Sequence, residues 1–190
     1  LTMVERVNLG LVRTFQSVHL FPSMSVLDNV KVGFHSKTGV GLLNSLWPTP
    51  SKNGEESDIS EGAWRLLTVF GREEEAGRPA GVLPFGRQRL AEIARALAAQ
   101  PRLLCLDEPS AGLNEAEALE LNRVLRRIRD QGVTILLIEH NMKLVMDISD
   151  RVIVLNFGEK IAEGRPDQVR SDPGVLDAYL GKGASGAAGH

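Results

Sequence analysis

Two adjacent carboxylates, Asp107 and Glu108, end the apolar run Leu103-Leu104-Cys105-Leu106 and are followed by Pro109. A short apolar segment bounded by turn residues reads as a strand buried on both faces. Two acids at such a strand end are costly to desolvate unless something there requires negative charge. A magnesium ion and a water attacking a phosphate would require it. Asp107 could hold the metal shell, and Glu108 could take the water's proton. An acidic turn without chemistry fits the same residues, so the neighbours decide.

Two more polar groups follow apolar runs in the same way. Gln16 closes the stretch Gly10-Leu11-Val12-Arg13-Thr14-Phe15, and Glu139-His140 follow Val133-Thr134-Ile135-Leu136-Leu137-Ile138. In an open parallel sheet, ligands gather beyond the carboxyl ends of the strands. A metal ligand, a base, a water-positioning amide and an imidazole donor are together the parts of nucleoside triphosphate hydrolysis. Each residue also has a plainer reading. Gln16 would be an ordinary strand-end polar group and Asp107 an acceptor of nearby backbone amides. Glu108 would complement a helix dipole, and His140 would cap the next helix. His19, His35 and His190 have no such setting and are expected in loops or in solvent.

The elements that must position these groups alternate between two periodicities. A short helical or irregular lead-in from Glu5 gives way to a strand over Gly10–Gln16. Ser25 is the expected N-cap of a helix running to Gly33, with Asp28 at its third position. From Ser36 to Gly62 the sequence turns to Gly, Ser, Pro, Asn and Lys, the signature of a long loop or mobile insertion. Residues 61–71 return to a helical pattern, and the run Arg72-Glu73-Glu74-Glu75 reads as a solvated face. Leu90, Ile93, Ala94 and Leu97 recur at i, i+3, i+4 and i+7, an amphipathic helix stopping before Pro101. Asn114 and Glu117 have capping-box spacing for a helix through Gln131, with Gly132 suited to the position after its end.

Val133–Ile138 reads as a second buried strand, and a helix follows from about Asn141 to Ile148. Arg151–Asn156 is a further strand, turned by Phe157-Gly158 into a hairpin partner near Lys160-Ile161. Strands alternating with helices imply βαβ units and a mainly parallel sheet. Gly181–Gly186 has the composition of a flexible tail.

Bulk properties exclude several classes. A chain of 190 residues with 43% hydrophobic and 24% charged content can build one cored domain. A net charge of −2 gives no sign of a general nucleic-acid or anionic-membrane binder. The single cysteine, Cys105, lies in the apolar run and reads as a small buried hydrophobe. With no signal peptide and no stretch long enough to span a bilayer, the expected location is cytoplasmic. The chain begins Leu1-Thr2-Met3, which reads as a piece of a longer protein.

The motifs in order resemble an ATPase subunit of the ABC transporters, over its C-terminal two-thirds and from about residue 5 to 181. Arg13-Thr14-Phe15-Gln16 resembles the Q-loop. Leu83-Pro84-Phe85-Gly86-Arg87-Gln88-Arg89 stands in place of the LSGGQ signature. Leu103 to Glu108 resembles Walker B with its following glutamate. Ser110-Ala111-Gly112-Leu113-Asn114 resembles the D-loop, and Ile138-Glu139-His140 the H-loop. Narrower features resemble the ATPases of bacterial branched-chain amino-acid importers, the LivG type more than the LivF type. They are Leu-Pro-Phe-Gly itself, the inserted loop, Asn114, Glu139 to Met146, and the ending Asp177-Ala178-Tyr179-Leu180-Gly181.

The resemblance implies an α/β fold, a P-loop NTPase-like (RecA-like) and mainly parallel sheet with an inserted helical subdomain. Residues 1–17 would end the N-terminal core lobe and 18–100 form the helical subdomain, with the flexible insertion at about 36–62 and the signature at 83–89. Residues 101–170 would return to the core, and 171–190 form a C-terminal helix and tail. ATP and Mg²⁺ are the implied ligands. Glu108 would be general base and His140 the γ-phosphate contact, with Gln16 and Asp107 at the metal. Leu83, Pro84, Phe85, Gly86, Arg87, Ser110 and Asn114 would face ATP on the opposite subunit.

The implied partners are a second ATPase subunit, two transmembrane permease subunits and, indirectly, a periplasmic substrate-binding protein, with no nucleic acid. The place implied is the inner face of the plasma membrane. The apolar residues Val18, Leu20, Phe21, Val26 and Leu27 would receive the permease's coupling helix, or else form the core of the small helical subdomain.

The sequence departs from that pattern at two points. Pro84 replaces the signature serine and brings no amide donor. Arg87 replaces the glutamine and would either contact phosphate or face solvent. The P-loop motif G-x-x-x-x-G-K-[ST] does not occur in the chain. A sheet without that strand should leave part of its core open to water, and the chain alone is expected neither to bind ATP tightly nor to hydrolyse it. The rival readings are a non-catalytic fragment acting through protein contacts, and a non-transport ABC-type ATPase working on DNA or ribosomes. Long coiled-coil heptads and basic patches, which would favour the latter, are absent.

Overall fold

A computed structural model describes residues 2–35 and 52–179 of the chain. They form two compact units, Leu1–Glu139 and His140–His190. The first holds α1 (Met3–Asn8), β1 (Leu11–Arg13), α2 (Val26–Phe34), α3 (Lys52–Phe70), α4 (Phe85–Ala98), β2 (Leu103–Asp107), α5 (Glu115–Asp130) and β3 (Thr134–Ile138). The second holds α6 (Met142–Ile148), β4 (Val152–Asn156), β5 (Glu159–Gly164), α7 (Pro166–Arg170) and α8 (Pro173–Tyr179).

In the first unit β2 is the central strand, parallel to β1 on one side and β3 on the other. The parallel sheet expected from the βαβ alternation is therefore present, with α5 as the crossover from β2 to β3. Its boundaries follow local chemistry. The Asn114 side chain accepts from the Glu117 N–H, and the Glu117 carboxylate accepts from the Asn114 N–H, which satisfies two otherwise unpaired donors. Ser25 caps α2 in the expected way, accepting from the Asp28 N–H at 3.0 Å. In the second unit β4 and β5 form an antiparallel hairpin. Val152, Val154, Val169 and Val175 make its core, with Met142, Val145, Met146, Ile161 and Ala162 packed against them.

Several expectations need correction. Neither long strand is buried on both faces. In β2, Leu104 and Leu106 are fully buried while Leu103, Cys105 and Asp107 are half-open. In β3, Leu136 and Ile138 are 53% and 55% exposed, consistent with a core left partly open to water. Continuous apolar runs do not distinguish a fully covered strand from one whose covering element is absent. Cys105 is accordingly half-buried; burial pushes its thiol up from the usual range, and the Arg13 charge pulls it partly back.

The strand expected over Gly10–Gln16 ends at Arg13. The Thr14 N–H makes the last ladder bond, to the Cys105 carbonyl at 3.0 Å. Residues 52–62, read as loop, belong to α3. The rest of that insertion, from 36 to 51, lies outside the described residues, as do the tail at 181–186 and His190. Arg72 and Glu75 are not a solvated face, since both are mostly buried in an ionic cluster with Glu120 and Arg87.

Helices α2, α3 and α4 pack on one another beside the sheet's sequence neighbours. The α2–α4 approach is close because of Gly33. A Cβ there would sit 2.1 Å from the Arg95 carbonyl oxygen and 2.7 Å from the Ala98 Cβ. Alanine gains about 1 kcal/mol of helix propensity over glycine, but overpacking against backbone costs about 1–3 kcal/mol. Gly33→Ala is therefore expected to lower the urea midpoint by the equivalent of up to about 2 kcal/mol at unchanged slope. A raised midpoint would show that α2 moves away from α4 freely.

Candidate functional site

The carboxyl end of β2 brings together Gln16, Asp107 and Glu108, three of the groups singled out by their chemistry. Glu108 leaves the strand with φ at +43°, a left-handed conformation that is uncommon for a non-glycine residue and clusters at functional sites. Its N–H donates to the Ile138 carbonyl at 2.9 Å, and its carbonyl accepts from the Ala111 N–H at 3.1 Å. The backbone is thus held on both sides of the bend. Gln16, carried past the end of β1, reaches across, and its Nε2 donates to Glu108 Oε2 at 3.0 Å. Residues 92 apart in sequence meet here.

Asp107 faces a group that sequence reading did not single out. Arg13 NH2 donates to Asp107 Oδ2 at 2.8 Å. Arg13 is registered beside Cys105, so Asp107, two residues on, shares its face of the sheet. That alternation was the available signal. With the Arg13 side chain 54% exposed, the pair is worth no more than about 1 kcal/mol, and it sets the charge of the site rather than its stability. Glu139 was also missed as a structural member: its Oε1 accepts from the Ser110 N–H at 2.8 Å. The end of β3 thereby fixes the turn after β2.

The stretch Leu83–Arg89 starts α4. Pro84 stands at its N-cap with no side-chain cap bond, so the first amides of the helix, at Phe85 and Gly86, have no acceptor within the helix and present its positive end. Leu83 is buried, and its carbonyl accepts from Gln88 Nε2 at 2.9 Å. The Phe85 ring lies over Gly112, and Gly86 lies against Glu117, where a Cβ would come within 2.6 Å of Oε1. The altered signature is thus packed on the turn formed by Ser110–Asn114 and the first turn of α5.

Arg87 neither points freely outward nor lies idle. Its NH1 is 3.4 Å from Glu120 Oε1, and its Nε is 3.8 Å from Glu75 Oε1. Arg72 bonds the same two acids. Burial pushes the Glu75 carboxyl upward, with the Arg78 charge opposing.

His140 belongs to the C-terminal unit, where it is exposed. It stands next to Asn141, whose side chain caps α6 by accepting from the Leu144 N–H at 3.2 Å. His19 and His35 are exposed. Of the apolar residues after Gln16, Val26 is buried and Phe21 is 48% exposed.

The oxygen donors at Asp107 and Gln16 are of the hard type that suits Mg²⁺. Among the described residues no cluster of three or more His, Cys, Asp or Glu could hold a metal by itself. Such a pair fits an ion carried largely by substrate phosphates, the usual arrangement for Mg²⁺. Among the described residues no helix is long and apolar enough to cross a membrane.

Comparison with known proteins bears on the family and the fold. The family profile "ABC transporter" matches residues 2–111, and the profile "Branched-chain amino acid ATP-binding cassette transporter" matches residues 159–185. The high-affinity branched-chain amino acid transport ATP-binding protein LivG of Escherichia coli K12 is 46% identical over 175 residues, 92% of this chain and 69% of that protein. The corresponding protein BraF of Pseudomonas aeruginosa is 44% identical over 174 residues, 91% of this chain and 68% of that protein. Among solved structures, the ADP conformation of the ATP-binding cassette MJ1267 superposes with a TM-score of 0.75. It is 33% identical and covers 94% of this chain and 71% of its own.

Proposed function

We propose, from the premise that this chain belongs to the ABC transporter ATP-binding family, that it energises uptake of branched-chain amino acids. It would do so by binding and hydrolysing ATP at the end of β2. Family membership makes it an ATP-hydrolysing transporter subunit. The named relatives support the cargo class, and import is the finer part of the reading. The observation that carries the chemistry is the contact of the Gln16 amide with Glu108 at 3.0 Å. It supports reading Gln16 as a water-orienting amide and Glu108 as the base beside it.

In this reading Glu108 takes the proton of the attacking water, and Gln16 orients that water. Asp107 and Gln16 would hold Mg²⁺, which would supply positive charge against the phosphates of ATP. His140 donates to the γ-phosphate. Arg13 balances the charge of Asp107. A second cassette would be needed for turnover, because the amides at Phe85 and Gly86 form an anion-binding helix start. That start would meet the γ-phosphate held by the opposite subunit, with Leu83, Pro84, Ser110 and Asn114 shaping its rim. Arg87 is engaged by Glu75 and Glu120 and would reach phosphate only by leaving them.

The segment around the exposed Phe21 would receive the coupling helix of one of two permease subunits at the inner face of the plasma membrane, with a periplasmic binding protein delivering cargo from the other side.

The reading assigns phosphate cradling to a P-loop, and no such motif stands in these residues. ATP turnover by the 190-residue chain is therefore compared with turnover by the same chain extended by its upstream coding sequence. The chain alone is expected to release no phosphate above background, and the extended cassette to turn over. Turnover by the chain alone, lost in Glu108→Gln, would overturn the division of labour. An inert extended cassette carrying a P-loop would favour a non-catalytic protein.

A further inference from the structure

We propose that Arg89 and Glu92 of α4 are positioning residues that hold the backbone of residues 15–19, so that Gln16 meets Glu108. The inference rests on the hydrolytic reading of that pair. Arg89 is completely buried and the Glu92 side chain is 4% exposed, an unusual setting for two charges. Burying an ion pair brings little net stability compared with apolar residues of the same volume. What this pair does is geometric.

Beyond Thr14 the chain has left the sheet, and the carbonyls of Phe15 and Gln16 have no strand partner in β2. Both carbonyls are taken by the one guanidinium. Arg89 NH1 donates to the Phe15 carbonyl at 2.8 Å, and NH2 donates to the Gln16 carbonyl. NH1 also donates to Glu92 Oε2 at 3.0 Å. The other Glu92 oxygen, Oε1, accepts from the His19 N–H at 2.9 Å. Backbone groups that have left the sheet ladder are thus bonded by side chains of α4.

Only the planar fork of arginine reaches two carbonyls and a carboxylate at once; a lysine ammonium is a single point. Gln16 is then gripped at its carbonyl by α4 while its side chain donates to Glu108. The Arg89 guanidinium also lies 5.5 Å from the centre of the Phe85 ring, so the start of α4 and the Gln16 segment share one anchor. Rotation of α4 would be transmitted to Gln16.

The test uses the extended cassette and a double-mutant cycle. Arg89→Lys is expected to lower kcat by about 10²-fold, the cost of a misplacement near 1 Å, with KM for ATP changing less than about threefold. In a Gln16→Ala background the same change should alter kcat by less than about twofold, since coupled residues do not add. Equal losses in both backgrounds would overturn the proposal, because a merely structural residue acts independently of Gln16.

Glu92→Gln keeps the shape and an acceptor for the His19 N–H, and serves if Arg89→Lys does not fold; its loss of kcat should likewise vanish with Gln16→Ala. Amide hydrogen exchange at His19, whose N–H donates to the Glu92 that Arg89 holds, reads the anchoring without any turnover. It is expected to quicken by about tenfold or more in Arg89→Lys and in Glu92→Ala, which removes the acceptor. Unchanged exchange would overturn the proposal. A wild-type cassette that does not turn over, with exchange still quickened in the variants, would sink the hydrolytic reading while sustaining the anchor.

Discussion

Glu108→Gln in the extended cassette is expected to cut ATP turnover by about 10²–10⁴-fold, the usual contribution of a positioned general base. Nucleotide affinity should stay within a few-fold of wild type. The substitution is nearly isosteric, and the amide oxygen can still accept from Gln16 Nε2, which lies 3.0 Å from Glu108 Oε2. The left-handed backbone at this residue, φ +43°, is held by the Ile138 carbonyl and the Ala111 amide, and neither contact involves the side chain. What disappears is the ability to take a proton. Phosphate release measured against titration calorimetry with ATP separates the two effects. Turnover within tenfold of wild type would remove Glu108 from its role. A parallel loss of binding and turnover would show that the side chain serves the ground state instead.

Local signals in the sequence reported the elements well, and long-range ones were silent. Ser25, Asn114 with Glu117, and Asn141 cap helices through bonds three residues away, so their chemistry is visible in a short window. The acids at 107–108 were conspicuous because charge at the end of an apolar run is costly. The contacts that complete the site span 94 residues for Arg13 with Asp107 and 73 or 74 for Arg89 with the Gln16 and Phe15 carbonyls. No local periodicity encodes such pairings. Arg89 stands in the sequence only as the end of the signature stretch, and the fold brings the Phe15 and Gln16 carbonyls to it. Arg72 and Glu75 misled for the same reason, since they become mostly buried only through Glu120 and Arg87. The half-open faces of β2 and β3 were hidden because an apolar run states what a strand can bury, not what covers it.

Asn29→Ala is expected to destabilise the cassette by about 2–4 kcal/mol, through loss of several buried hydrogen bonds and the orphaning of the Phe21 N–H. Asn29 is completely buried in α2. Its Oδ1 accepts from the Phe21 N–H at 2.8 Å. Its Nδ2 donates to the Phe21 and Ser25 carbonyls, both at 3.0 Å, and is 3.4 Å from the Met24 carbonyl. The one amide thus ties the turn from Phe21 to Ser25 to α2, beside the turn's own bond from the Met24 N–H to the Phe21 carbonyl at 3.2 Å.

Alanine is a better helix former than asparagine by less than about 0.7 kcal/mol, too little to offset the loss. Asn29→Asp sharpens the test, since it keeps the acceptor for Phe21 but turns the donor into a carboxylate facing three carbonyl oxygens. Burial and those oxygens raise its pKa in the folded state above the unfolded value. The folded protein then holds the proton more tightly, and stability falls as pH rises through the window between the two values. Urea titrations at low and neutral pH should find Asn29→Asp closer to wild type at the lower pH, after correction for wild type itself. If Asn29→Ala costs less than about 1 kcal/mol, water has replaced the amide, and the turn that presents Phe21 is held by other contacts.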